Sequence, residues 1–504
     1  MTYQKIKPEF IDISLASTGQ TLVSNGTSMT FSDIKPTFTA VASGTLNNGD
    51  KVIINSNGTV SAVTFTATTS VSSGAESVAS LTQSSFISCG YDNVNSKICI
   101  VFRDTGNSTT RYVIGTVSGS TITFGTPGTL YAGVVGSRIH VEFEPVNQKL
   151  LIFYGDPGNN NYATVQIGTV SGTTVTFATP VVVSTAPIGT SVARYSSVSN
   201  TTVFFYSAYN QLHVKSGSLL GNTYTFGAQT SFTTSNMFDL DAAYDNTTGR
   251  WIVVGQYAGV GRSVIVSVTG TTINYISAAS TFANSGIDTN GYRSTQVEYD
   301  STQQKVIVCY KTSGSQIKSN IGTVAGNTIS YNTVVTQNAA TIDYFGMAYE
   351  STTGKPVLAI IKSSALYISV GTVASNTITF SSDANTGTIF SSQEGIYAVD
   401  APTPGKIICA YPNGSLYISA KVVNTFTGAT NLTNTNYIGI SDAAYTNGQT
   451  ATIQIAGAVD DAQSGLTPGT QYYIQKNGTL GTTADTPSVI AGTAVATTKI
   501  IVKG

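Results

Sequence analysis

A short signature recurs seven times along the chain, and no other feature of the sequence limits the fold as strongly. It is an apolar residue, tyrosine in most copies, then an acid or serine, then a polar turn. The copies read YDNVNSK from Tyr91, FEPVNQK from Phe143, YSSVSNT from Tyr195, YDNTTGR from Tyr244, YDSTQQK from Tyr299, YESTTGK from Tyr349 and VDAPTPGK from Val399. Their second residues are Asp92, Glu144, Ser196, Asp245, Asp300, Glu350 and Asp400, spaced 52, 52, 49, 55, 50 and 50 apart. A period of about 50 residues held this well marks a repeat architecture, in which each unit buries its apolar face against the next.

A second element keeps step with the first. It is a turn followed by a β-branched strand: GTVSGSTITF (Gly115–Phe124), GTVSGTTVTF (Gly168–Phe177), GSLLGNTYTF (Gly217–Phe226), SVTGTTINY (Ser267–Tyr275), GTVAGNTISY (Gly322–Tyr331) and GTVASNTITF (Gly371–Phe380). The seventh copy, near Val422–Phe426, is degenerate, as a terminal repeat is expected to be. One unit holds four predicted strands; in the fourth these are roughly Asp239–Tyr244, Arg250–Gln256, Ser263–Val268 and Thr272–Ile276. Val, Ile, Tyr, Phe and Thr fill them, and Asn-, Gly- and Thr-rich turns of hairpin length separate them. Seven four-stranded units predict an all-β chain built on a seven-bladed β-propeller. The expected division is a propeller over 83–431, with a small β-module before it (1–82) and another after it (432–504).

The recurring acid is expected to cap its turn by accepting backbone N–H groups two or three residues on. No loop carries the oxygen-rich pattern of a calcium site. The repeated S-x-D-x-G-x-x-W box of sialidases is missing, and Trp251 is the sole tryptophan.

Charged residues make up 10% of the chain, against about 25% in ordinary globular proteins. Surface polarity must come from Ser, Thr, Asn and Gly. A net charge of −1 with no Lys/Arg run removes the electrostatic basis for nucleic-acid binding. No apolar run is long enough for a membrane span, and the start of the chain carries no secretory signal. Cys89, Cys99, Cys309 and Cys409 fall inside predicted strands without a C-x-x-C and are read as small buried hydrophobes, a Cys89–Cys99 bridge being the alternative. With only His140 and His213, no metal site and no cofactor are expected.

The flanking regions share a pattern of two glycines nine apart with alternating apolar residues between. It appears in GDKVIINSNGTV (Gly49–Val60), GQTATIQIAGAV (Gly448–Val459) and GTQYYIQKNGTL (Gly469–Leu480). Each predicts a short strand entered and left through turns of positive φ. Gly19–Thr27 reads as a further small hairpin. The runs STGQTLVSNGTS (Ser17–Ser28) and SGTLNNGDKVIINSNGTV (Ser43–Val60) resemble segments of tail-fibre and tail-associated proteins of tailed bacteriophages. The runs SGLTPGTQYYIQKNGTLGTT (Ser464–Thr483) and AGTAVATTKIIV (Ala491–Val502) resemble small β-modules in virion proteins of marine tailed phages, a cyanophage-like pattern. Together these cover at most a quarter of the chain.

The resemblance implies a non-enzymatic virion structural protein, tail more than head, assembled in the host cytoplasm. The flanking modules would join other virion proteins or sister chains, trimeric by analogy, and the propeller would meet the host surface, including its glycans. A capsid decoration or purely structural tail component is the alternative; a propeller glycosidase or a lectin is the next.

No G-x-S-x-G, P-loop or G-x-G-x-x-G motif is present, so no catalytic residue is assigned. Asp460 and Asp461 are adjacent and so point apart, whereas Asp239 and Asp241 would share a strand face. The more informative set lies on the predicted innermost strands. Two residues before the recurring acid stand Gly90, Glu142, Arg194, Ala243, Glu298, Ala348 and Ala398. Four before it stand Ser88, His140, Val192, Asp241, Gln296, Gly346 and Ile396. His140, Glu142, Arg194, Asp241 and Glu298 are therefore the ligand-binding candidates at the channel mouth, and Glu142 and Arg194 are placed to pair across neighbouring blades.

Overall fold

The computed structural model describes residues 20–24, 29–33, 36–135, 139–209, 211–232, 237–289, 293–338, 340–388, 395–401 and 406–503. The chain divides into two units: residues 69–427, and residues 1–68 together with 428–504. Among the described residues there is no α-helix.

In the larger unit, the seven repeats follow one another as antiparallel sheets, the first and seventh joined in one nine-stranded sheet and the other five each forming a five-stranded sheet. The second is representative. His140–Glu144 is innermost, followed by Lys149–Asp156 and Tyr162–Ser171. The outermost position is shared by Thr174–Phe177 and Val181–Pro187, which pair with opposite halves of the third strand. The sequence pattern shows the first of these outer pieces and not the second. Each innermost strand lies against the next, and the seventh returns to the first, closing the ring of a β-propeller.

A blade has a neighbour on both faces, so its second strand is apolar throughout rather than alternating. Leu150–Gly155 is buried along its whole length for this reason. Between the second and third blades, Phe153 meets Phe204 and Tyr206 edge-on, with ring centroids 5.0 and 6.1 Å apart. Trp251 fills the same role one blade on, 5.7 Å from Phe205. The four cysteines are free thiols buried among such contacts.

The two recurring motifs have local physical causes. The acid caps its turn: Asp300 Oδ1 accepts from the N–H groups of Thr302 and Gln303, both at 2.9 Å. Asp92, Glu144, Asp245 and Glu350 accept in the same way, and Ser196 accepts from Ser199 N–H. In the second motif, Gly168 pairs across the hairpin with Phe177. A Cβ on Gly168 would come within 2.6 Å of Val175 and 3.0 Å of the Phe177 ring, so the glycine makes room for the aromatic nine residues on. Where serine takes that place, at Ser267, the hairpin register shifts between Ser267 and Val268. A further link joins the motifs: the lysine after the first turn donates to the threonine after the glycine, as in Lys97–Thr116 (2.6 Å), Lys149–Thr169 (2.7 Å) and Lys305–Thr323 (2.8 Å).

The seventh blade departs from the sequence reading twice. Its long third strand, Tyr417–Thr430, does not fold back into an outer strand of its own. Residues ahead of the first blade take that place: Ser77 pairs with Ala420, Val78 with Ser419, and Gly74 N–H donates to Val422 O. The motif is degenerate there because its partner comes from the other end of the ring. The register of the seventh copy also moves by one. Lys406 pairs with Ala401, where the equivalent lysines Lys97, Lys149, Lys305 and Lys355 pair with the recurring acid. Ala401, not Asp400, is the equivalent of those acids, so Tyr397 and Val399, rather than Ile396 and Ala398, occupy the channel positions.

The second unit corrects the expected domain division. Residues 1–82 and 432–504 do not make two separate modules, because strands from both ends alternate in one sheet. Its order is Thr37–Val41, Thr450–Gln454, Tyr437–Ser441, Lys51–Ile54, Val60–Ala62. Residues 69–82 belong to the propeller instead. A second sheet holds Gln471–Ile474, Val489–Ala496 and Lys499–Val502, and a core including Ile53, Leu432, Tyr437, Ile440, Ile474 and Ile500 draws on both ends of the chain. The paired glycines form turns as expected. Gly58 and Gly478 have φ of +80° and +86°, and in each turn a preceding asparagine, Asn57 or Asn477, accepts from the N–H and hydroxyl of Thr59 or Thr479. The hairpin expected at Gly19–Thr27 is present as Gln20–Ser24 paired with Met29–Asp33; its turn and residues 1–19 lie outside the described residues.

Candidate functional site: the propeller channel

An innermost strand is an edge strand, and its channel-facing backbone N–H groups have no sheet partner. Polar side chains at the channel positions satisfy several of them. Tyr195 N–H donates to Glu142 Oε1 (3.1 Å), Val297 N–H to Asp241 Oδ2 (3.1 Å), and Met347 N–H to Gln296 Oε1 (2.7 Å). In each case a side chain of one blade latches the backbone of the next. Asp239 does likewise, taking Thr295 N–H at 3.1 Å from a bulge where its own φ is +55°. Asp239 and Asp241 thus both reach the fifth blade and act there as latches, Asp239 by way of the bulge rather than by plain strand alternation.

Arg194 ties three blades together. Its Nε donates to Ala242 O (3.0 Å), its Nη2 to Asp241 Oδ1 (3.1 Å), and its Nη1 stands 3.8 Å from Glu142 Oε2. The expected Glu142–Arg194 pairing is present, and Asp241 is the closer partner. Burial opposes the charge on Arg194, but the carboxylates of Asp241 and Glu142 more than offset it and hold the guanidinium protonated.

The channel holds two cavities at different levels. The larger, about 400 Å³, is lined by Glu142, Arg194, Glu298, Asp400 and the inner-strand tyrosines. Gly90, Ala243 and Ala348 leave it room, being the smallest residues at their channel positions. Burial pushes the Glu298 carboxyl up to about 8, Arg194 drawing it down and Asp241 and Asp400 pushing it further up. Burial likewise raises Asp400 to about 7. The one-residue register shift explains Asp400: it stands where the other blades carry Tyr or Phe, between blades rather than over a turn, and accepts Ser351 N–H at 3.3 Å.

The smaller cavity, about 60 Å³, lies at the level where the inner strands begin, among Ile139, His140, Val192, Leu240, Asp241 and Ile396. Arg293 and Tyr397 line both cavities, with the guanidinium 3.7 Å from the ring centroid. That geometry is a cation–π stack. Arg293 is held at φ +56°, a conformation that bulky residues rarely adopt. Its Nη2 donates to Gln296 Oε1 (3.3 Å) and lies 4.0 Å from Asp241 Oδ2. His140 is 3% exposed, and burial, reinforced by Arg194 and Arg293, drives its pKa well below the usual range. Its ring is therefore neutral.

The five sequence candidates thus divide. Glu142, Arg194 and Asp241 form one ionic and backbone-latching network, Glu298 faces the larger cavity, and His140 lines the smaller one. Arg293, Tyr397 and Asp400 are channel residues that the motif spacing does not pick out. Arg293 precedes its strand, and the other two follow from the register shift. The unusual VDAPTPGK copy, which lacks the tyrosine, was the one available signal. Among the described residues no three His, Cys, Asp or Glu side chains converge as a metal site would require.

No family model matches the chain, and no curated protein matches it. Among solved structures it is similar to the β-propeller domain of Myceliophteria thermophila Cps50 (Swd1), at 9% identity and a TM-score of 0.44, covering 70% of this chain and 99% of that one. It is also similar to the Dos1 propeller, at 7% identity and a TM-score of 0.42, covering 70% and 95%. A third likeness is to a protein from Bacteroides uniformis proposed as a 6-phosphogluconolactonase, at 8% identity and a TM-score of 0.44, covering 60% and 85%.

Proposed function

We propose that the chain is a non-enzymatic structural protein of a tailed-phage particle, with the terminal unit joining other particle proteins and the propeller binding host-surface glycan. The observation that carries this reading is topological. Both ends of the chain build one unit, and residues 69–427 are spliced between them as a complete ring. A module entered and left through a shared base can be presented without being threaded into the assembly. The segments that resemble phage tail proteins supply strands of that base, Lys51–Ile54 and Gln471–Ile474 among them. In the channel, Glu142 and Asp241 are committed to backbone N–H groups of neighbouring blades, a use that favours binding over acid–base work.

The test is cryo-EM or immunogold localisation on particles from the source lysate. Density on a tail fibre or tail tip is the expected result. Density on the capsid would convert the role to decoration, and absence from every particle would overturn the reading.

A second reading, glycoside hydrolysis, rests on Glu298 and Asp400, two carboxyls with raised pKa on one cavity. Reducing-end release from host polysaccharide that disappears in Glu298→Gln would establish it; no release is expected.

A further inference from the structure

Two residues that line the smaller channel cavity, His140 and Arg293, carry three polar atoms that the fold leaves unused. Neither ring nitrogen of His140 makes a hydrogen bond, and neither does Nη1 of Arg293, although all three atoms are shielded from solvent. An unmade buried hydrogen bond costs about 1–3 kcal/mol, so three at one place need a reason. Ile139, Val192, Leu240 and Ile396 wall the same space with apolar surface, beside Ser191 and Asp241. A neutral imidazole offers one N–H donor and one acceptor nitrogen, and Nη1 offers donors only. A matching group must therefore combine an acceptor oxygen, an N–H donor and a small apolar end. A free carboxylate lacks the donor, an ammonium lacks the acceptor, and a hydroxyl lacks the apolar end. About 60 Å³ accommodates a group of a few heavy atoms.

We propose that this recess binds the acetamido group of an N-acetylated amino sugar. The carbonyl oxygen accepts from Arg293 Nη1 or the imidazole N–H, the amide N–H donates to the other imidazole nitrogen, and the methyl rests on Ile139, Val192, Leu240 and Ile396. Asp241 Oδ2 and Gln296 Oε1 hold Arg293 from the other side, and Tyr397 backs its guanidinium. The assignment deepens the host-surface reading and rests on it for its biological setting, not for its chemistry.

The experiment is a titration of the full chain with N-acetylglucosamine, glucosamine and glucose, followed by saturation-transfer NMR. Saturable binding of N-acetylglucosamine is expected, strongest at the acetyl methyl. The other two sugars should bind at least about tenfold more weakly, the least that one buried hydrogen bond and one methyl are together worth. Equal binding of glucose, or none of N-acetylglucosamine, would overturn the proposal on the native chain alone. Among variants, His140→Leu should lose binding while its melting temperature stays level or rises, because it removes two unpaired buried nitrogens. His140→Gln, with a donor and an acceptor, should restore binding. A folded His140→Leu chain that still binds would also overturn the proposal. Failure of sugar binding in a chain found on tail fibres would leave the particle role standing. Binding by a chain absent from particles would do the reverse.

Discussion

The propeller and the terminal unit are both antiparallel β-structure, but they are assembled over very different distances along the chain. In the propeller nearly every pairing is a hairpin: Lys149–Asp156 pairs with Tyr162–Ser171, and that strand with Thr174–Phe177. Its long-range pairing is the closure of the seventh blade, where Phe65–Ser73 and Ser77–Asp92 pair with Tyr417–Thr430. In the terminal unit the central pairings join the two ends. Phe38 pairs with Ile453 and Lys51 with Ile440, across the whole intervening propeller. Local pairings close small loops at little entropic cost, and distant ones become affordable only once the intervening chain is compact. The propeller is thus expected to form first and to bring residues 68 and 428 together, so that the terminal unit can close.

The sharpest way to break this comparison is to end the chain at residue 431. Removing Tyr437–Ser441 and Thr450–Gln454 takes away the sheet partner of Thr37–Val41 and one of the two partners of Lys51–Ile54, leaving it only the Val60–Ala62 hairpin. Limited proteolysis with intact-mass readout should then trim residues 36–68 completely and leave a resistant core of residues 69–427. A front segment that stays protected would mean that it folds without its distant partners.

A smaller effect is expected inside the propeller. Phe204 is fully buried and meets Phe153, Tyr224 and Phe226 at 5.0, 5.6 and 5.9 Å. Phe204→Ala should cost about 3–5 kcal/mol in chemical denaturation, with the loss confined to the propeller transition if the two units unfold separately.

The channel adds a pH-dependent contribution. Glu298 and Asp400 titrate near 8 and 7 in the folded chain and in the ordinary carboxylate range when unfolded. Between those limits the folded state binds more protons, so stability falls as pH rises, and the loss is complete only above about 8. Melting temperatures of the native chain should decline from about pH 6.5 to pH 8, above the range in which the depressed His140 acts in the opposite sense. Glu298→Gln should flatten the upper part of that slope and Asp400→Asn the lower part. A native chain whose stability rises over this range would contradict the assignment.

The smallest effect is at a turn. Asp245 accepts Thr247 and Thr248 N–H at 2.9 and 3.1 Å. Asp245→Ala should cost about 1 kcal/mol by analogy with helix caps. Asp400→Asn should not share this loss, because Asp400 stands one position off the turn-capping place and accepts Ser351 N–H of the neighbouring blade. Equal destabilisation by both substitutions would argue against the register shift.

How much was legible follows from the same distances. The turn caps, the glycine–aromatic spacing and the hairpins were readable because each is a contact between residues within one repeat. The seventh blade was misread by one position because its turn lacks the tyrosine, and its missing outer strand had no local trace. At the channel, spacing from the recurring acid found Glu142, Arg194 and Asp241 because blades are equivalent by rotation. It missed Arg293, which enters from outside the strand, and Tyr397, which the altered register put in place.

The sequence alone determined that the chain is a ring of repeated four-stranded units, since a seven-fold period of hairpin-forming motifs admits few other ways to bury its apolar strands. Tertiary structure alone decided how the ring closes, that the two ends of the chain share one sheet, and which polar atoms in the channel are satisfied. These depend on pairings between residues hundreds of positions apart and on the directions of side chains around a common axis. Neither leaves a period or a spacing in the linear sequence.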